Sequence, residues 1–420
     1  MEIEIERDHT NAPAPQNNLT PGTGRGSSVA LLTGGSDKPY VFGIATELTS
    51  KGVAVDLIGS DELDCPEIRD IPGVHFINMR GDQNADAGLL AKARRVTQYY
   101  GKLLRYAATA KPKIFHILWN SRFQFVDRTL IMFYYTLVGK KVVLTVHNVN
   151  TRKRDGTDSA LNRLTLRIQY QMARHLFVHT EKMHRELIED YGVQPARISV
   201  IPFGINNAVP NTSLTPAEAK KRLGIEGREK AVLFFGRITE YKGLEYLVEA
   251  LKQIQSRHET FRLIIAGKPG IAYAEYWNKV QESIRVGLKK DSVLIRGDFI
   301  PDEETEVYFK AADALVLPYK DIYQSGVLFL GHSFGLPVLA ADVGSLKDDI
   351  VEGSNGLVFK PEDPTDLARA LEEYFSSELY ANLDARREAI REDATRLHSW
   401  DIVGQMTLKV YAALLGNRST

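Results

Sequence analysis

One cysteine, Cys65, serves a chain of 420 residues. A single thiol excludes an internal disulfide framework and fits a reducing compartment. Charge of one sign is also missing: Lys+Arg and Asp+Glu both number 53. There is then no basic surplus of the kind that draws a protein to nucleic acid, and no nucleic-acid partner is expected. Long apolar runs are absent as well. The greasiest stretch, Leu130–Val138, is about half of the ~20 residues needed to span a bilayer. The N-terminal MEIEIERDH is acidic and lacks an apolar core, which argues against a secretory signal. These absences lead us to expect a cytoplasmic protein, soluble or peripheral at the inner face of the membrane. No DxD-like cluster and no His/Cys ligand set occurs, so neither a metal nor another cofactor is expected. No solenoid-type repeat is visible.

What is present is an ordinary globular composition, 44% hydrophobic and 25% charged, in a length that suggests two or three domains. Residues 1–26 are polar, rich in Pro, Asn, Gly and Thr, and read as a disordered tail. A first domain is expected over 27–205. It opens with the apolar run VALLT, the pair Gly34-Gly35, a helix-like stretch over Tyr40–Ser50, and VAVDLIG. Strand, glycine turn, helix, strand is a βαβ unit and predicts a parallel sheet. VHFIN, IFHIL, VVLTV, HLFVHT and ISVIP continue it, as the unbroken apolar runs of strands covered on both faces. Leu161, Leu164, Ile168 and Met172 recur at helical spacing and predict a core-facing stripe. A linker is expected over 206–228, with a short helix capped by Thr215 ahead of Pro216. The second domain, 229–395, repeats the alternation through VLFF, RLIIAG, VLIRG, ALVLP, VLAAD and GLVF. A helix should start at Asp363-Pro364, and a last helix lies within 396–420. The expected class is α/β, two Rossmann-like parallel-sheet domains facing a cleft.

Two stretches carry the chemistry. Phe234–Gly243, FFGRITEYKG, ends a buried strand, turns at Gly236, and offers Arg237 and Lys242 just before a helix. Two cations beside a helix N-terminus suit a diphosphate, because side-chain charge and unpaired backbone N–H groups converge on one anion. Tyr323–Pro337 runs from Gln324 through the small-residue turn Ser325-Gly326 into the apolar Val327-Leu328, a second backbone cradle for phosphate. Between Leu89 and Lys113, Lys92, Arg95 and Lys102 share one helical face, while Leu89, Val96, Leu103 and Ala107 share another. The basic face suits solvent, or an anionic membrane with Arg122, Phe123 and Phe125 close by.

FFGRITEYKGLEYLVEA, IIAGKP, RGDFIPDEETEVYFKAADALVLPY and SGVLFLGHSFGLPVLAADVGSLKDDIVEGSNGLVF resemble the C-terminal half of family 4 retaining glycosyltransferases, which have the GT-B fold. The likeness runs from about Val29 to the end and is dense from Ile198 to Phe359. It implies transfer of a hexose from a nucleotide diphosphate sugar, with retention and without metal, to a glycan or lipid-linked saccharide. Surface-polysaccharide synthesis is the pathway that the family suggests. The resemblance implies that Arg237 and Lys242 hold the diphosphate and that Phe299 and Ile300 hold the base through their backbone. It places Gly34, Gly35, Gly236, Gly267, Lys268, Gln324, Ser325, Gly326, Val327 and Leu328 around the donor, and His147, in VVLTVHN, against the transferred sugar. It also implies that the terminal helix crosses back to the first domain. The chain departs from the family at an acidic pair that flanks the SGVL turn. The two slots hold Ile322 and Leu330, and Asp321 stands one position from the first. Two rival readings are a non-catalytic sugar-nucleotide-binding module and a soluble disaccharide synthase.

Overall fold

The computed structural model describes residues 28–34, 38–84, 88–121, 123–205, 209–226, 229–255 and 261–416. The expected N-terminal tail, Gly35 and Arg122 lie outside them.

Among the described residues the apolar runs form thirteen strands in two sheets. The first sheet contains β1 (Ser28–Thr33), β2 (Ala54–Gly59), β3 (Val74–Asn78), β4 (Ile114–Trp119), β5 (Lys141–Thr145), β6 (His175–Val178) and β7 (Ile198–Val200). Its order is β3-β2-β1-β4-β5-β6-β7. The second contains β8 (Lys230–Phe235), β9 (Phe261–Ala266), β10 (Val293–Arg296), β11 (Ala314–Leu317), β12 (Val338–Ala341) and β13 (Gly356–Phe359). Its order is β10-β9-β8-β11-β12-β13. Every strand pairing between them is parallel. Parallel strands need helical crossovers, and helices on both faces explain the lack of polar–apolar alternation in strands such as Ala231–Phe234, which is buried throughout. In each sheet the strand order reverses once, between β1 and β4 and between β8 and β11. Open α/β sheets bind ligands at the carboxyl ends of strands beside such reversals.

Within 206–228, Val209, Leu214, Ala219 and Ile225 pack into the core of the second sheet. The helix Pro216–Arg222 starts with a reciprocal cap. Thr215 Oγ1 accepts from the Glu218 N–H, and the Glu218 carboxylate accepts from the Thr215 N–H. Asp363 caps Pro364–Phe375 with its own carboxylate alone, accepting from the Thr365 and Asp366 N–H groups.

The last helix, Trp400–Leu415, lies on the first sheet. Trp400, Val403 and Tyr411 share a core with β1 and the helix Lys38–Ser50. His116 Nδ1 and the Tyr411 hydroxyl are 2.7 Å apart, and the Trp400 indole N–H donates to the Ile205 carbonyl at 2.8 Å. Phe203 stacks on Phe329 with centroids 5.7 Å apart, and the Tyr323 hydroxyl donates to Glu186 at 2.9 Å. Residues of both halves thus meet beside the SGVL turn.

One helix differs from its sequence pattern. In Ala160–Met172 the buried residues are Asn162, Thr165, Leu166, Gln169 and Tyr170, while Leu161 and Leu164 are exposed. Leu161 and Leu164 of the expected stripe therefore face outward, while Ile168 is half-buried and Met172 packs against the core. The helix turns its polar side inward because that side meets a polar network, Asn162 to Asn150 and Asp158, and Gln169 to Asn120. Leu89, expected on a packed face, is also exposed, whereas Leu103 and Ala107 are buried.

Candidate active site

A cavity of about 750 Å³ opens at the carboxyl ends of β8, β9 and β10. It brings together Gly236, Arg237, Gly267, Lys268, Phe299 and Ile300. Asp155 reaches it from the first half, and Thr239, Tyr241 and Tyr273 complete much of the wall. None of these last four was legible in the sequence, since a lone polar or aromatic residue in a loop carries no positional signal.

The turn after β8 sets the floor. Gly236 has φ +97°, a left-handed conformation that side chains resist, and a Cβ there would lie 2.8 Å from Lys242 Nζ. Lys242 is therefore tucked under the turn. It is buried, its Nζ sits 3.4 Å from the Phe235 carbonyl and 5.5 Å from the centre of the Tyr319 ring, and it has no carboxylate partner among the described residues. Burial pushes its pKa down to about 8, and the Arg237 guanidinium adds to the effect. A buried ammonium beside a second cation is costly until an anion arrives. Arg237 and Lys268 are exposed on the cavity wall. Phe299 is exposed and Ile300 buried, and both line the cavity.

The SGVL turn approaches the same point from β11. Val327 Cγ2 would be 3.8 Å from a Cβ on Gly236. The helix Gly326–Ser333 begins there with its first N–H groups uncapped by the Ser325 side chain. Ser325 and Leu328 are buried, and Gly326 faces Phe203 of the first half. Gln324 turns towards Asp349, whose carboxyl is pushed up to about 7 by burial and by neighbouring Asp348. Asp321 is exposed, and both Ile322 and Leu330 pack in the apolar core under the sheet.

Across the cleft stands His147, past the end of β5. Its ring stacks on Trp119 with centroids 4.2 Å apart and planes 4° from parallel, and Tyr40 meets it edge-on at 4.7 Å. His147 Nδ1 is 3.1 Å from His179 Nε2, and His179 Nδ1 is 3.3 Å from the Ile201 carbonyl. A carbonyl only accepts, so His179 carries its proton on Nδ1 and His147 Nδ1 donates to His179 Nε2. Both rings are neutral. Burial lowers His179 to about 4 and takes His147 well below the usual histidine range, with His179 as its next influence. His147 Nε2 is left as a bare acceptor, buried and without a hydrogen-bond partner. Gly34, just past the end of β1, donates to the Trp119 carbonyl at 2.8 Å. A Cβ on Gly34 would lie 2.0 Å from the Asn120 carbonyl oxygen, so only glycine lets the loops after β1 and β4 close together.

The sequence matches two family models, Glycosyltransferase Family 4 over residues 39–209 and Glycosyl transferases group 1 over residues 229–377. The D-inositol 3-phosphate glycosyltransferase of Acidothermus cellulolyticus is 32% identical over 254 residues, 59% of this chain, and the match spans 55% of that relative's length. An uncharacterized glycosyltransferase of Methanocaldococcus jannaschii is 24% identical over 88% of this chain and 92% of its own. Among solved structures, sucrose-phosphate synthase from Thermosynechococcus elongatus has the same fold, with a TM-score of 0.76 at 18% identity, over 93% of this chain and 99% of that one. Anabaena HepE, solved in complex with UDP, gives 0.70 at 16%, over 92% and 100%.

Proposed function

This chain belongs to the family 4, group 1 glycosyltransferases, and from that membership we propose that it moves a hexose, with retention of configuration, from a nucleotide diphosphate sugar to a glycan or lipid-linked saccharide. The observation that carries the proposal is Lys242, a buried cation without a carboxylate partner among the described residues, next to Arg237 under the large cavity. Together the pair neutralises the diphosphate and stabilises charge on the departing nucleotide, the role that a metal fills elsewhere. Hydrogen bonds from the first N–H groups of Gly326–Ser333 add to it. His147 Nε2 accepts from a hydroxyl of the transferred sugar and holds it in place. The departing phosphate takes the acceptor's proton on the same face of the sugar. A panel of nucleotide sugars, assayed for binding and slow hydrolysis, tests the reading. Failure of every member to bind would reject it.

Donor ribose recognition should be weak at one point. The Leu330 slot lacks the acceptor that an acidic residue would supply, and its side chain is committed to the core. A donor nucleotide without its 2′-hydroxyl is expected to bind within about 1 kcal/mol of the parent, roughly fivefold in affinity. Calorimetric titration of the matched pair checks this. A penalty above about 2 kcal/mol would mean that a charged acceptor holds the ribose, and Asp321→Asn would then identify or acquit Asp321.

A lipid-linked acceptor needs a membrane-facing surface. The helix Leu89–Thr109 exposes Arg94, Lys102 and Arg105, while Lys92 and Arg95 of the expected basic face are half-buried and Arg95 pairs with Asp82. Against it pack Asp127 and Tyr134, through Tyr100 and the Leu104 carbonyl. That second segment exposes Phe125, Leu130, Phe133 and Leu137. Apolar side chains beside a basic helix suit an anionic bilayer surface. No helix of the described residues is long and apolar enough to cross one. Flotation with phosphatidylglycerol vesicles at low salt is the expected result, abolished by Phe133→Asp with Leu137→Asp. A protein that stays at the bottom of the gradient at low salt would exclude the surface.

A further inference from the structure

Two buried hydroxyls of the second half, Thr239 Oγ1 and the Tyr319 phenol, have no hydrogen-bond partner among the described residues. Buried polar atoms are nearly always paired, so each orphan marks the place of a missing partner. Both belong to segments that hold Lys242.

Thr239 is buried on the wall of the large cavity, just after Arg237. It occupies the N-cap position of the short turn Glu240–Lys242. A threonine hydroxyl there ordinarily accepts from the backbone, but this one caps nothing. The Thr239 carbonyl accepts from the Lys242 N–H at 3.1 Å, so the residue is fixed to the buried lysine. Tyr319 comes just after β11, across the strand reversal. The Lys320 N–H donates to the Tyr241 carbonyl at 2.8 Å, and the Tyr241 and Tyr319 rings meet edge-on with centroids 6.2 Å apart. These contacts lock the segment after β11 against the turn that carries Lys242. The Lys242 ammonium lies 5.5 Å from the centre of the Tyr319 ring. Burial pushes the phenol up, and Ser325 beside its hydroxyl draws it back in part. The hydroxyl therefore stays protonated near neutral pH. Tyr319 thus touches both halves of the cradle, Lys242 on its ring and Ser325 at its hydroxyl.

We propose that Thr239 and Tyr319 complete the donor cradle: Thr239 Oγ1 donates to an oxygen of the bound diphosphate, and Tyr319 closes on Ser325 to set the SGVL turn against it. The proposal deepens the transferase reading above and adds two residues to its donor site. The neighbours decide the chemistry. A hydroxyl beside a cation without a carboxylate partner awaits an acceptor of negative charge, and hydrogen bonds to such an oxygen are the strong ones. Tyr319 is a positioning residue. Ser325 is buried and leaves the helix Gly326–Ser333 uncapped, so its side chain is free to take the phenol's hydrogen. That bond fixes where the first N–H groups of the helix point.

The test is calorimetric titration of the full chain with UDP, ADP and GDP. At least one is expected to bind. Thr239→Val and Tyr319→Phe keep the side chain's shape and remove the hydroxyl. Each should weaken that nucleotide at least fivefold. The free chain of each variant should melt no lower than wild type, because a buried hydroxyl without a partner adds nothing to folding. Thr239→Ser restores the hydroxyl and should bind within threefold of wild type. Ser325→Ala added to Tyr319→Phe should change affinity by less than twofold, as expected when one residue acts through the other. A loss below fivefold in either single variant overturns the proposal. A lower melting temperature of the free chain overturns it too, since the hydroxyl would then serve the fold. Should Tyr319→Phe fail to fold, Thr239→Val and its serine counterpart decide alone. If no nucleoside diphosphate binds the wild type, it is the transferase reading that fails. Inorganic pyrophosphate then decides the cradle separately: saturable binding weakened fivefold in Thr239→Val supports it, and no binding overturns it.

Discussion

Lys242→Ala should cost about 2–4 kcal/mol of transition-state stabilisation, as removal of a well-placed donor at a developing charge does. That is roughly a 30- to 1000-fold fall in kcat/KM. The size follows from position. Lys242 is buried beneath Gly236, so its charge acts through little water, whereas Arg237 is exposed and partly screened. The lysine also leaves a pH signature. Its free ammonium titrates near 8, held down first by burial and then by Arg237. A bound diphosphate favours the charged form and raises that value. Affinity for the free nucleoside diphosphate should therefore be steady below pH 8 and fall above it, by up to tenfold per pH unit. Arg237→Ala should move the fall to higher pH, because one of the two causes of the low value is removed. Lys242→Ala should abolish it. Turnover within threefold of wild type in both alanine variants would reject the pair as the diphosphate holder, and an unshifted pH profile in Arg237→Ala would uncouple the two cations.

His147→Ala is expected to lower kcat by at least tenfold, about 1.4 kcal/mol, and to leave affinity for the free nucleoside diphosphate within twofold. The split between the two readouts is what identifies the role. His147 is locked by Trp119 on its face and His179 on Nδ1, and only Nε2 is left to meet a substrate. A free nucleoside diphosphate carries no hexose for that atom to hold. Its binding should pass unaffected, while the sugar loses its anchor in the transition state. Equal collapse of both would show that His147 supports the cleft wall and touches no sugar. Because both imidazoles are neutral, with His179 near 4, this contribution should not vary between pH 6 and 8.

The strands were legible because parallel strands covered on both faces read as unbroken apolar runs, and ALLT, VLFF and ALVL are such runs. The Thr215 and Asp363 caps were legible because capping is local chemistry. So was the cation pair, since a glycine with two cations at a strand end is a short-range pattern. Leu330 could be read as a core residue from the VLFL run around it. Three features were not legible, and each for a long-range reason. The helix Ala160–Met172 faces inward with Asn162, Thr165 and Gln169, and it takes the loop after β4, distant in sequence, to make that side the buried one. The π-helical turn Asp127–Ile131 depends on Asp127 reaching Ser121 and Tyr100, contacts that no periodicity reports. The depth of Lys242 depends on Gly236 and Tyr319 closing over it. In retrospect a helix with Asn, Thr and Gln at core spacing and leucines on the opposite side was a signal that a polar network lay beneath it.

The central claim is that the chain's own cations, with His147 across the cleft, carry a hexose from its nucleotide with the anomeric configuration kept. The most direct measurement is proton NMR of the first-formed product from an α-linked nucleotide sugar, recorded in excess chelator. The account predicts an α-linked product formed at a rate that added magnesium or manganese leaves unchanged. A β-linked product would contradict retention, and turnover that vanishes in chelator and returns with metal would contradict the role given to Arg237 and Lys242.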